Sequence, residues 1–142
     1  MATSTIKLAL NSDITTSNVA LGASFSLTTD GTAGLDLSTG LARVKIGTSD
    51  EVLVDASDFD ATGENQLAYV FIKNLSTDPS SITFTEAVAI KLDGDEDGTA
   101  DATLGYLAGG QSIILPYSAE SDIMVKADVA DTVLEYIVIY TD

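Results

Sequence analysis

The sequence predicts an all-β chain, a single-domain antiparallel β-sandwich of jelly-roll-like type with about eight to ten strands. Three observations predict it. Apolar and polar residues alternate with period two in short runs along the whole chain. Turn-forming residues punctuate those runs every eight to twelve positions, the spacing of sandwiches and barrels. No stretch carries the three-to-four-residue apolar spacing of an amphipathic helix.

Taken in order, Ile6, Leu8 and Leu10 alternate with Thr5, Lys7 and Ala9, and Leu21, Ala23, Phe25 and Leu27 alternate with Gly22, Ser24 and Ser26. Each run reads as a half-buried strand. The surrounding residues 11–40 are dominated by Thr, Ser, Gly, Ala and Asp, so residues 1–40 read either as an N-terminal arm or as edge strands of the sandwich, with residues 41–142 as its core. Over residues 41–46, Ala42, Val44 and Ile46 oppose Arg43 and Lys45, which places two of the six cations on one solvent face. Further strands are expected at 52–54, 67–73, 82–84, 88–92, 104–107, 112–115, 123–125 and 133–140. The runs at 67–73 and 133–140 are apolar on both faces, as central strands covered on each side are. Turns are expected at 29–31, 47–50, 61–65, 74–81, 108–110 and 118–122, where Gly, Asp, Asn, Ser and Pro cluster.

At 142 residues the chain is one domain's length, large enough to bury about 68–70% of its unfolded surface without disulfides. Its 22 acidic and 6 basic residues give a net charge of −16, which repels a phosphate backbone and excludes a nucleic-acid partner. Apolar residues make up 45% of the chain and mean hydropathy is +0.25, so a filled core sits under the acidic shell rather than a disordered coil. No run approaches the ~18 apolar residues of a membrane helix, and the opening residues lack the charged and apolar regions of a secretory signal. A soluble protein with no membrane partner is expected.

The strongest local chemistry lies in residues 93–101, Asp-Gly-Asp-Glu-Asp-Gly-Thr-Ala-Asp, which hold five of the 22 carboxylates. Asp93, Asp95, Asp97 and Asp101 occupy positions 1, 3, 5 and 9 of a D-x-D-x-D-G pattern, with Gly98 at the bend. Calcium takes six to eight oxygens at about 2.3–2.6 Å, and alternate side chains converging around such a turn supply most of them. Position 12, where an EF-hand places a bidentate Glu, is Leu104, and no helices flank the loop. Two readings stand side by side: a structural calcium loop, with Ca2+ as the one cofactor the sequence points to, or an acidic hairpin tip that serves solubility.

The absence of His and Cys removes the usual nucleophilic triads, thiolates, zinc sites and disulfides. Carboxylate pairs of the kind glycosidases use exist, such as Glu64 with Glu86 or Asp58 with Asp60, but 22 acids produce such pairs by chance. No catalytic residue is assigned, and the chain is read as non-enzymatic. A glycan-binding module needs exposed aromatic platforms. With no Trp, only Tyr106 and Tyr117, flanking the turn at 108–110, are available; their other reading is a cross-strand hairpin pair, with Pro116 ending the strand between them.

Three segments carry a family resemblance. AYVFIKN at 68–74 followed by LSTD, LAGGQSIILP at 107–116, and VLEYIVIY at 133–140 resemble small all-β virion proteins of tailed bacteriophages, especially marine ones, over roughly residues 66–140. Upstream, Gly40-Leu41-Ala42-Arg43 agrees in tone. Gln111 stands where that pattern often has Glu, and the acidic loop is an insertion into it. The resemblance implies a structural component of the particle, a head decoration or cement protein on the outer capsid surface, made in the host cytoplasm. Its partners would be the major capsid protein, or tail proteins, of the same virion. The alternative it leaves is a tail- or fibre-associated adhesin or a calcium-stapled glycan-binding sandwich. A homo-oligomer is expected, a trimer by analogy with the particle's three-fold positions, with the N-terminal segment reaching a neighbouring subunit by strand addition.

Overall fold

A computed structural model describes residues 3–12, 19–28, 37–58, 68–76, 86–95, 97–117 and 121–140, with only the backbone described before residue 38. The strand expected at 82–84, and the turns expected at 29–31 and 61–65, lie outside the described residues.

Among the described residues eleven strands run in chain order: β1 (Thr3–Ser12), β2 (Val19–Thr28), β3 (Leu37–Ser38), β4 (Ala42–Ile46), β5 (Glu51–Val54), β6 (Ala68–Asn74), β7 (Val88–Asp93), β8 (Ala102–Leu107), β9 (Ser112–Tyr117), β10 (Asp122–Ala127) and β11 (Thr132–Tyr140). A 3-10 turn, Ala56–Asp58, follows β5. β5, β10, β7 and β8 form one sheet in that order. The other runs β3-β11-β6-β9, with β4 sharing the edge of β11 that β3 occupies. All pairings are antiparallel.

Leaving out the two-residue β3, the chain alternates between the orders β4-β11-β6-β9 and β5-β10-β7-β8 at every step except the β7–β8 hairpin, which stays within one sheet. The last strand pairs with the first and the second-last with the second, which is the double Greek key of a jelly roll. With β3, the two sheets hold nine strands among the described residues. Their period-two pattern decides the two layers. In β6, Ala68, Val70, Ile72 and Asn74 are fully buried while Tyr69, Phe71 and Lys73 are half-buried. Leu134 and Val138 of β11 meet them within one core that Val88, Ile90, Ile123 and Val125 enter from the opposite sheet. Each such side chain contributes about 1.5–3 kcal/mol on burial. β6 and β11 are central, as their apolar composition predicts.

The edges of both sheets are interrupted. Register shifts set Leu53 of β5 and Leu104 of β8 as extra residues, so both edge strands of the four-stranded sheet carry a bulge. β9, an edge of the other sheet, carries Pro116. That proline does not end the strand: Tyr69 pairs with Pro116 and Ala68 with Tyr117, because an edge strand can turn its missing donor away from its single neighbour.

Tyr106 and Tyr117 are not a hairpin pair. β8 pairs with β7 and β9 with β6, so the Gly109-Gly110 turn carries the chain from one sheet to the other. The turn closes by an N–H···O bond from Gln111 to Ala108 of 3.0 Å, with Gly110 at φ +79°. Arg43 and Lys45 do share one solvent face, paired across to Glu135 at 2.8 Å and Asp131 at 3.3 Å on the β11 side.

Toward the N-terminus, β1 and β2 pair only with each other, in a sheet separate from both layers. Their register sets Ile6 opposite Phe25, Leu8 opposite Ala23 and Leu10 opposite Leu21 without a shift. Among the described residues they pair with no strand of either layer. The first described strand to join a sandwich sheet is β3, where Leu37 pairs with Tyr140.

Candidate metal centre

β7 ends at Asp93 and β8 begins at Ala102, so the acidic loop closes a hairpin between two neighbouring strands. At its base the N–H of Asp101 donates to the carbonyl of Leu92 at 2.8 Å. The loop then folds back over the strand end. Gly98, at φ +83°, donates its N–H to Oδ2 of Asp93 at 2.8 Å, a backbone conformation that a Cβ disfavours. Asp101 Oδ2 accepts the N–H of Gly94 at 2.8 Å.

These contacts leave Asp93 at 0% exposure among the exposed residues of its own loop. One of its oxygens is committed to Gly98. The other, Oδ1, has no hydrogen-bond partner, the one buried side-chain atom among the described residues of which this is true. Buried polar groups are normally satisfied, because desolvation without a compensating bond costs about 1–3 kcal/mol and more for a charge.

Asp93, Asp95 and Asp101 each bring a carboxylate oxygen within 4.8 Å of the others, one buried and two exposed. Asp97, the fourth residue of the pattern, stands outside this group. Its Oδ1 accepts the N–H of Thr99 at 2.8 Å, the local bond of an Asx turn. The Asp95 carboxyl is nonetheless pushed above its usual range, chiefly by the charge of Asp97, then by desolvation and the charge of Asp101.

A residue that sequence reasoning missed extends the site. Asp122 of β10 stands directly opposite Asp93, is buried, and accepts the N–H of Ala56 on Oδ1 at 2.8 Å. Side chains directly opposite in an antiparallel pair share a face, and like charges there repel. In the sequence Asp122 reads only as the last residue of a turn, so nothing marks it. Ser121 beside it accepts, on its carbonyl, the hydroxyl proton of Tyr117 at 2.8 Å. None of the three ion pairs among the described residues reaches this end of the sheet. An all-oxygen set of three carboxylates can hold a hard cation. It offers no nucleophile with a base beside it. Of the carboxylate pairs considered from the sequence, Asp60 and Glu64 lie outside the described residues, and Tyr117, 6% exposed, is buried rather than a platform.

No protein family model matches the chain, and no curated protein matches it. Among solved structures, one described as "Bacillus endospore appendages form a novel family of disulfide-linked pili" is similar over 80% of this chain and 96% of that one, at 13% identity and a TM-score of 0.49. A likeness at that level says nothing about function.

Proposed function

We propose that this chain is a non-enzymatic structural protein of a tailed bacteriophage particle, a decoration or cement protein on the outer surface of the head. The observation that carries the reading is the strand order, a jelly roll of the type that viral capsid proteins, lectins and cupins share. Fold alone does not choose among those roles. The resemblance of residues 66–140 to phage virion proteins favours the first.

Three physical features support it. A net charge of −16 keeps the outer surface from binding nucleic acid and anionic debris. Bulges at Leu53 and Leu104 and the proline in β9 discourage the sandwich edges from recruiting further strands, so assembly would run through faces or through the separate β1–β2 hairpin. The glycan-binding alternative loses one of its two platforms with Tyr117 buried; among the described aromatic residues only Tyr106 is exposed.

Immunogold labelling of purified particles with an antibody to this chain tests the proposal. Dense, regular label over heads is the expected result. Label restricted to tails or fibres would replace it with the adhesin reading, and unlabelled particles would reject a virion role.

A further inference from the structure

We propose that Asp93, Asp95 and Asp101 bind a calcium ion that locks the β7–β8 loop onto the end of the four-stranded sheet. The inference goes beyond the particle role and does not depend on it. Acidic loops are common without metal, so the cluster alone would not carry the assignment. What distinguishes this one is Asp93: a fully buried carboxylate at the base of the group, with one oxygen bonded to Gly98 and the other left without any donor. A buried anionic oxygen in that state is costly, and a cation beside it removes the cost.

The geometry suits calcium. Its bonds of about 2.3–2.6 Å allow ligand oxygens on opposite sides of the ion to stand about 4.6–5.2 Å apart, and the three carboxylates lie within 4.8 Å of one another. Asp95 and Asp101 are exposed, which leaves room for the waters that complete six to eight ligands. The soft-metal alternatives lack ligands, since the chain has neither His nor Cys. Magnesium demands a tight octahedron at about 2.0–2.1 Å and sheds water reluctantly, which a glycine-hinged, exposed loop does not impose.

The position explains what binding would do. Asp93 ends β7, Asp101 precedes β8, and Asp122 on β10 lies directly opposite Asp93 while holding the 3-10 turn after β5 through Ala56. One ion there closes the hairpin loop and screens repulsion across β7 and β10, tying three of the sheet's strands at one end.

Calorimetric titration of the full chain with CaCl2 and MgCl2, together with thermal melts in EDTA and in each salt, tests this. Saturating binding of one Ca2+ per chain is expected, with the melting temperature up by roughly 5–10 °C at calcium a hundred-fold above its Kd and a smaller effect of magnesium. Asp95→Asn and Asp101→Asn, both at exposed positions, should fold and lose the shift, whereas Asp97→Asn should keep it. No heat of binding and unchanged melts would overturn the site. So would a shift that survives in the Asp95 and Asp101 variants, or one lost equally in the Asp97 variant, since both outcomes mean general screening of an acidic loop.

Discussion

Asn74, at the end of β6, donates its side-chain amide to the carbonyl of Leu107 at the end of β8, 3.0 Å away and in the opposite sheet. The same Nδ2 donates to the carbonyl of Glu86 at 2.8 Å, just before β7, and Oδ1 accepts the N–H of Ser76 at 2.9 Å. Its backbone joins the crossover turn, donating to Gln111 at 2.9 Å and accepting from Gly110 at 3.0 Å. A fully buried amide with both donors and its acceptor occupied thus fastens the two layers where the chain passes between them.

Replacing Asn74 with Ala takes the amide away from two carbonyls and one N–H at buried and part-buried positions. A loss of about 2–4 kcal/mol is expected in urea denaturation, and Asn74→Asp should be no better because a carboxylate cannot donate. A loss below about 1 kcal/mol would mean that water replaces the amide.

Neighbouring positions of β11 should respond in opposite ways. Glu135 meets Arg43 at 2.8 Å, but the Arg43 side chain is 67% exposed, so Arg43→Ala should cost less than about 1 kcal/mol. Leu134, one residue earlier and fully buried in the core, should cost about 2–5 kcal/mol on truncation to Ala. Equal costs in equilibrium unfolding would contradict this division into a wet outer face and a packed inner one.

Two exposed carboxyls should titrate on opposite sides of the usual 3.8 in calcium-free solution. Asp95 is raised, first by the charge of Asp97, while Asp55 is lowered by its bonds from the hydroxyl and N–H of Ser57. The signs follow from linkage: the raised Asp95 favours the fold below its unfolded pKa and loses that contribution as pH climbs through its folded value. Asp55 contributes above its unfolded pKa and loses the contribution as pH falls through its folded one. Carboxyl carbon NMR should show the Asp95 midpoint falling in Asp97→Asn and the Asp55 midpoint rising in Ser57→Ala. A midpoint that stays put would remove that neighbour as the cause.

Deleting residues 1–36 removes no described strand from either sandwich sheet, because β1 and β2 pair with each other and β3, from Leu37, is the first described strand to join one. The truncated chain should keep a single cooperative melt, while its oligomeric mass in light scattering should drop to that of a smaller species. An unfolded truncation would show that the hairpin completes the core, and an unchanged mass would rule out its role in assembly.

Much of this was legible in the sequence for a simple reason. Period-two alternation reports which face of a strand is buried, and the alternation at Arg43 and Lys45 gave the solvent face of β4; the doubly apolar runs of β6 and β11 gave their central positions, though one face of each is only half-buried. The acidic loop was legible too, because D-x-D-x-D-G is local. The sequence could not separate Asp97 from the other three aspartates. Which carboxylates converge depends on where the folded-back loop carries each: Asp97 turns to its near neighbour Thr99, while the bonds from Gly98 to Asp93 and from Gly94 to Asp101 close the loop over the strand end.

By itself, then, the sequence determined the all-β class, the sandwich, the faces of its strands and the place of its charged loop, all of which follow from local spacing and composition. Tertiary structure alone decided that β8 and β9 part into different sheets instead of forming a hairpin around Tyr106 and Tyr117. It also decided that Asn74 bridges the layers and that Asp122 comes to face Asp93. Strand pairing is a choice among many partners of similar propensity. It is made by burying both sheets' inner faces at once, a condition no short window of residues contains.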